Sequence, residues 1–236
     1  VLVNIDKNEL EALKIKFDYC INLDLRIFFK HILKNKKKKN LFFSQKTIKN
    51  VKILNDIDSI HKIKRKKINQ YYFISRLNKF SFGNENYVID GGGTTVYISY
   101  QALEIKQKQK IILSTSMCAM GSGLPEAIGV AAGNNNVICL IGDGSLMFNM
   151  QELQTIKTNN LNVKIIVFNN NGYVSIRDTQ RDFLKSKFYG SSKKGGLEVA
   201  NIKKISKTFN FDYIALKTNN DIDTKIQKFL KTKKHT

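Results

Sequence analysis

Asp143 stands between two glycines in "IGDGS", and residues 145–168, 24 in all, separate Gly144 from the run "NNNGY" that opens at Asn169. A carboxylate, side-chain amides and a carbonyl with no side chain beside it are hard oxygen donors. They suit Mg²⁺, which takes octahedral oxygen coordination from one or two carboxylates and completes its shell with phosphate oxygens and water. On this reading Asp143 supplies a carboxylate oxygen, Asn170 its amide oxygen and Gly172 its main-chain carbonyl. The same residues also fit a purely structural role, with Asp143 capping a helix and the asparagines forming an Asx turn. Spacing alone leaves both open.

Glycine-rich junctions accompany the acid. Gly142 and Gly144 let the chain bend sharply and let a ligand approach the backbone, while Gly144 and Ser145 present N–H groups to an anion. "DGGGTT" at Asp90 to Thr95 has exposed N–H groups and two hydroxyls suited to a phosphate, although it carries neither GxGxxG nor GK[ST] spacing. "MCAMGSGLPEAIG" is a third turn-to-helix junction. Three such junctions at one edge of a sheet are more than packing needs.

Secondary structure must bring 143 and 170 together. "VICLIG" and "VKIIVF" are continuous apolar strands, and the 24 residues fit a turn, a helix of about three turns, another turn and a six-residue strand. A right-handed crossover of this kind returns both strand ends to one edge of a parallel sheet, where ligands bind in open α/β folds. Around this unit the pattern predicts the helix "INQYYFISRLNKF", the strand "YVID", the segments "VYISYQAL" and "QKIILST", and a helix from Gly121 to Gly133. A helix across Asn149 to Thr158, one around "VANIKKISKTF", the strand "YIAL" and the helix "DIDTKIQKFL" follow. Residues 68–236 therefore read as an α/β domain, an open parallel sheet with helices on both faces.

Residues 1–33 read as the tail of a second α/β domain. They hold the strand "VLVNID", a helix start "KNELEALKI", a strand "INLD" and the helix "LRIFFKHIL", with Asp24 as its cap and Leu25, Phe28, Phe29 and Ile32 on one face. Residues 34–67 form a basic linker with room for one helix. A chain that opens on Val in mid-strand is expected to be a fragment.

With 42% hydrophobic and 25% charged residues the chain is expected to be globular. No apolar run reaches the roughly 18–20 residues of a membrane span, and the N-terminus lacks the basic start and apolar middle of a signal peptide. A cytoplasmic location with no membrane contact is expected. Cys20, Cys118 and Cys139 are odd in number and lack CxxC spacing, so reduced thiols are expected rather than disulfides or zinc. The net charge of +21 raises nucleic-acid binding. However, lysine is spread along the chain with no aromatic and arginine platform, and "KNKKKKN" reads as a solvated linker, so no nucleic-acid partner is expected.

"GDG", 24 residues, then "NN" matches the signature of thiamine diphosphate (ThDP)-dependent enzymes. "MGSGLPEAIG", "GDGSLMFNMQEL" and "VKIIVFNNNGYVSIRDTQ" resemble the acetolactate synthase large-subunit group in its C-terminal, diphosphate-binding domain, over about residues 68–231. The resemblance implies the ThDP-binding fold, with Mg²⁺ on Asp143, Asn170 and the Gly172 carbonyl. It implies cofactor contacts at Gly92, Gly93, Thr94, Gly142, Gly144, Ser145, Asn170, Gly172 and Tyr173. Met120 falls at the apolar wedge that bends the cofactor, and Cys118 where a backbone carbonyl receives the pyrimidine amino group. The family often has glycine at the Cys118 position.

The resemblance further implies decarboxylation of pyruvate or another 2-oxo acid with transfer of the acyl carbanion, a homodimer or homotetramer, and a place in branched-chain amino acid biosynthesis. FAD is left open. No catalytic residue is expected in this chain, because the family's activating glutamate lies on a preceding pyrimidine domain, so the chain alone should be inactive. Two departures stand out. Thr179 occupies a position where acetolactate synthases usually carry Trp, which leaves related members with other acyl acceptors open. The alternatives are a non-oxidative 2-oxo-acid decarboxylase of the same family and, because the activating glutamate lies outside this chain, a catalytically silent binding or assembly subunit. The chain also ends at "KTKKHT", where the family usually continues into a final strand.

Overall fold

The computed structural model describes residues 2–3, 20–21, 23–34, 68–114 and 116–232. The expected helix at 7–15, nearly all of the basic linker and the final four residues lie outside these. The chain divides into two compact units, Val1–Val51 and Lys52–Thr236.

In the first unit, β1 (Leu2–Val3) pairs in parallel with β2 (Cys20–Ile21), and α1 (Leu25–Lys34) follows. Asp24 caps α1 as its position suggests: its carboxylate accepts from the Arg26 N–H at 2.8 Å. Leu25, Phe29 and Ile32 on this helix are exposed.

The second unit is built on a four-stranded parallel sheet of order β4-β3-β5-β6. Its strands are β3 (Glu85–Ile89), β4 (Ile111–Ile112), β5 (Asn136–Gly142) and β6 (Val163–Phe168). Five helices pack on it: α2 (Gln70–Phe80), α3 (Gly93–Ala102), α4 (Gly123–Ala132), α6 (Glu152–Thr158) and α9 (Ile222–Lys231). The short α5 (Asp143–Leu146), α7 (Val174–Phe183) and α8 (Ile202–Thr208) complete the set.

Both faces of the sheet are covered, and the strand residues divide between them. Ile138 and Leu140 of β5 join Phe73, Ile74 and Leu77 of α2, Ile98 of α3 and Ile226 of α9 in one core. Val137, Cys139 and Ile141 join Leu124 and Ala127 of α4 and Leu153 and Ile156 of α6 in the other. This is why the strands read as unbroken apolar runs rather than as alternating ones. Arg76 of α2 fastens α9 through paired 2.6 Å bonds to Asp223.

One expected element is corrected. Residues 213–216, "YIAL", have strand composition but adopt no strand. They line, together with Ile165 to Phe168 of β6, an apolar cleft of about 370 Å³. A strand exists only when its N–H and C=O groups meet a partner, and across this cleft the two segments do not pair. Other boundaries shift modestly. The helix expected from Gly121 begins at Gly123, and the helix expected from Asn149 begins at Glu152, after the separate one-turn α5.

At the end of the sheet away from the glycine junctions, Glu85 is 5% exposed. Its carboxylate accepts from Phe82 N–H at 2.9 Å, Gly83 N–H at 3.0 Å, the Ser81 hydroxyl at 3.0 Å and Gln109 Nε2 at 2.9 Å. Burial, the largest single influence, pushes this carboxyl up, but the donors together outweigh it and hold it below its ordinary range. A lowered folded-state pKa gives stability that is present above the unfolded value, about 4.3, and lost as pH falls through the folded one. Glu85→Gln is expected to cost about 1–3 kcal/mol at neutral pH, from donors left poorly matched, and progressively less in acid. Urea unfolding of both proteins at pH 7 and at about pH 3 checks this; a gap that stays constant with pH refutes it.

Candidate functional site

The carboxyl ends of β3, β5 and β6 meet at a cleft of about 60 Å³. Four turns line it. Gly92, Gly93 and Thr94 come from the start of α3, and Met120 from the turn before α4. Gly142, Asp143, Gly144 and Ser145 come from the start of α5, and Asn170, Gly172 and Tyr173 from the turn before α7. The β5–β6 crossover thus brings 143 and 170 to one place, with a six-residue returning strand as the spacing predicts. Its helical part is split between α5 and α6. Cys118 stands outside the lining and is exposed. It holds the left-handed backbone conformation, φ 45°, which glycine adopts most readily. Thr179 also stands apart, its hydroxyl donating to Ser175 O at 3.1 Å on its own helix.

None of the N-cap residues of α3, α4, α5 and α7 makes a side-chain cap hydrogen bond. The Gly92 and Gly123 N–H groups are taken by Asp90 and the Gly144 N–H by Asp143. The other first-turn N–H groups at the starts of α3, α5 and α7 make an environment suited to a phosphate.

Asp143 is 1% exposed. Its Oδ1 accepts from Gly144 N–H at 2.8 Å and its Oδ2 from Gly172 N–H at 3.2 Å. Burial pushes its carboxyl up, and these backbone donors offset that only in part. A buried carboxylate of this kind gains from a nearby positive charge. The Asn170 side-chain amide reaches Gly172 O at 2.6 Å and Asp143 Oδ1 at 3.3 Å, its nitrogen donating to both. Turned about, its oxygen would join those two, and three acceptors facing one another would need a cation between them. Among the described residues no group of three or more His, Cys, Asp or Glu side chains could hold a metal. A mixed set of carboxylate, amide and carbonyl oxygens is the alternative, and it fits Mg²⁺ rather than zinc or copper.

Sequence reasoning missed two residues here. Asp90 at the end of β3 is fully buried. Its Oδ2 accepts from Gly92 N–H at 3.0 Å, while Oδ1 accepts from Gly121 N–H at 2.8 Å and Gly123 N–H at 3.1 Å. One carboxylate thereby ties the first glycine junction to the Met120 junction. Its signal was available: like Asp143, it is an acid at a strand end immediately before glycine. Gly91 is the second. A Cβ built on it would lie 2.3 Å from the Cys118 carbonyl carbon and 2.4 Å from the Cys118 oxygen.

Residues 90–236, more than half of the chain, match the family described as thiamine pyrophosphate enzyme, C-terminal TPP binding domain. The chain belongs to this family. Its curated relatives narrow the likeness. It is similar to the acetolactate synthase isozyme 1 large subunit of Escherichia coli (strain K12), 32% identical over 132 residues, covering 55% of this chain and 23% of that one. It is also similar to acetolactate synthase 2, chloroplastic, of Zea mays, 29% identical over 176 residues, covering 72% of this chain and 27% of that one. The chain thus spans about a quarter of the length of these relatives. Among solved structures, the 4-hydroxybenzoylformate decarboxylase of Rhodococcus jostii RHA1 aligns with a TM-score of 0.63 at 19% identity, covering 73% of this chain and 32% of that one. The benzoylformate decarboxylase of Polynucleobacter necessarius aligns at 0.62 and 21%, covering 71% and 32%. These share the fold. No helix among the described residues is long and apolar enough to cross a membrane.

Proposed function

We propose that this chain is the ThDP- and Mg²⁺-binding part of an acetolactate synthase-like enzyme that decarboxylates pyruvate or another 2-oxo acid and transfers the resulting acyl carbanion. The observation that carries this reading is the meeting of the Asp143 carboxylate, the Asn170 side-chain amide and the Gly172 carbonyl at the glycine-lined carboxyl edge of the sheet. Asp143, Asn170 and the Gly172 carbonyl hold the cation. Gly93, Thr94 and Ser145 offer N–H and hydroxyl donors to the diphosphate, Gly92 and Gly144 let it come close to the backbone, and Gly142 lets the chain turn beneath it. Met120 is the apolar support, Tyr173 closes the cleft over Gly144, and the Cys118 carbonyl is the acceptor for the pyrimidine amino group. When bound, ThDP supplies the carbanion chemistry and electron sink for 2-oxo-acid decarboxylation. The chain's own task is to anchor, orient and keep the site dry.

The activating glutamate comes from outside these residues, so the 236-residue chain alone is inactive. The intact protein works as a homodimer or homotetramer in the cytoplasm, without nucleic acid or membrane partners, and serves branched-chain amino acid synthesis. Thr179, where acetolactate synthases usually carry Trp, leaves the acyl acceptor open, and the second reading within the same cofactor class is a non-oxidative 2-oxo-acid decarboxylase. Product analysis decides. The intact protein with pyruvate, ThDP and Mg²⁺ is expected to yield acetolactate; acetaldehyde would establish the second reading, and turnover by the isolated chain would overturn the division of labour.

A further inference from the structure

Arg177 sits in the first turns of α7, within "SIRDTQ", and no role described so far uses it. Its guanidinium donates through Nη1 to Ser191 O at 2.7 Å and Asn171 O at 3.2 Å, and through Nη2 to Asn170 O at 3.1 Å. One rigid fork therefore gathers three main-chain carbonyls from two separate segments. Gln180, one turn further on and 8% exposed, secures the second segment. Its Nε2 donates to Tyr189 O at 2.8 Å, and its Oε1 accepts from the fully buried Ser191 hydroxyl at 2.6 Å. Ser191 O also accepts from Tyr173 N–H at 3.2 Å. Gly172 admits this close approach, since a Cβ there would lie 2.6 Å from Ser191 O.

The loop so gathered needs holding. Asn171 and Gly172 take consecutive positive φ angles, 60° and 119°. A run in the left-handed region persists only where its surroundings over-determine it. We propose that Arg177 is a positioning residue for the cation seat: by fixing the carbonyls of Asn170 and Asn171 against Ser191, it turns the Asn170 amide and the Gly172 carbonyl toward Asp143. The inference rests on the cation reading above and deepens it. It makes residues 189–191 an outer support of the site, and it explains a guanidinium spent on three main-chain oxygens.

The test uses the intact protein and its affinity for Mg²⁺ in saturating ThDP, measured by calorimetry, beside hydrogen exchange of the Gly172 amide without ligands. Arg177→Ala is expected to weaken Mg²⁺ binding about 10- to 100-fold, as loss of an outer support does, and to speed Gly172 exchange. Added guanidinium ion should restore much of the affinity, which a general loss of folding would not permit. Arg177→Lys keeps the charge but offers a point donor, so it should also bind more weakly; if the alanine variant fails to fold, this variant decides. Wild-type affinity and exchange in both variants overturns the role of Arg177 alone. ThDP binding by the wild type without any divalent cation overturns the cation reading and this inference together.

Discussion

Asp143→Ala is expected to abolish Mg²⁺-dependent ThDP binding by the intact protein while leaving its sheet in place. Asp143 would be the only charged ligand of the proposed set, since the Asn170 amide and the Gly172 carbonyl are neutral. Losing a ligand should cost more than the roughly 10- to 100-fold that losing an outer support costs, so an affinity drop beyond about a hundredfold is expected. The fold pays a separate penalty: Gly144 and Gly172 N–H groups lose their acceptor, at about 1–3 kcal/mol each if they stay buried and unmet. Asp143→Asn separates the two effects. It keeps the volume and one acceptor oxygen, and it removes a charge that burial already disfavours in the cation-free chain. One N–H is then left facing the amide nitrogen, so it should unfold without ligands more readily than the wild type by no more than about 1–3 kcal/mol, less than Asp143→Ala loses, yet gain nothing from Mg²⁺ and ThDP. The wild type should gain about 2.7 kcal/mol at a hundred times its Kd. Thermal unfolding with and without both ligands reads this directly, and undiminished ligand stabilisation in either variant defeats the metal assignment.

The part of the site that the sequence disclosed was the part a local rule controls. A crossover of 24 residues between two strands of one parallel sheet has a single natural outcome, and "GDG" and "NNNG" stand at its two ends. Glycine at a strand end before a helix likewise announces a close backbone approach, and the cleft is lined by such glycines from three of its four turns. The contributions of Asp90 and Arg177 were not legible. Asp90 acts on Gly121 and Gly123, some thirty positions away, through contacts that no spacing rule encodes. Arg177 looks like an ordinary exposed helix cation until its carbonyl partners are seen.

The misread element fails for a related reason. "YIAL" satisfies every local criterion for a strand, but a strand is a relation between two segments. Residues 213–216 line an apolar cleft with β6 instead of pairing with it. By contrast, β5 was unmistakable because it is flanked on both sides, by β3 and by β6. Its burial on two faces forces the continuous apolar run that announced it.

Gly91→Ala is expected to be the most damaging small substitution at the site, although the sequence drew attention to Gly92 and Gly93 instead. Its Cβ would stand 2.3 Å from the Cys118 carbonyl carbon, 2.4 Å from its oxygen and 2.7 Å from Ala119 O. All three are backbone atoms, so no side chain can swing aside, and the chain before Met120 must move. That movement opposes Asp90, whose carboxylate holds the same segment through Gly121 and Gly123. The conflict is expected to cost about 1–3 kcal/mol of stability and to lower ThDP affinity at least about tenfold, equivalent to about 1.4 kcal/mol. Gly129→Ala supplies the opposite sign. Gly129 lies inside α4 with nothing within 4 Å of the added methyl, so alanine should stabilise by about 0.5–1 kcal/mol through helix propensity and leave ThDP affinity unchanged. If the two variants shift the unfolding midpoint in the same direction, contact with the Cys118 backbone is not what requires glycine at position 91.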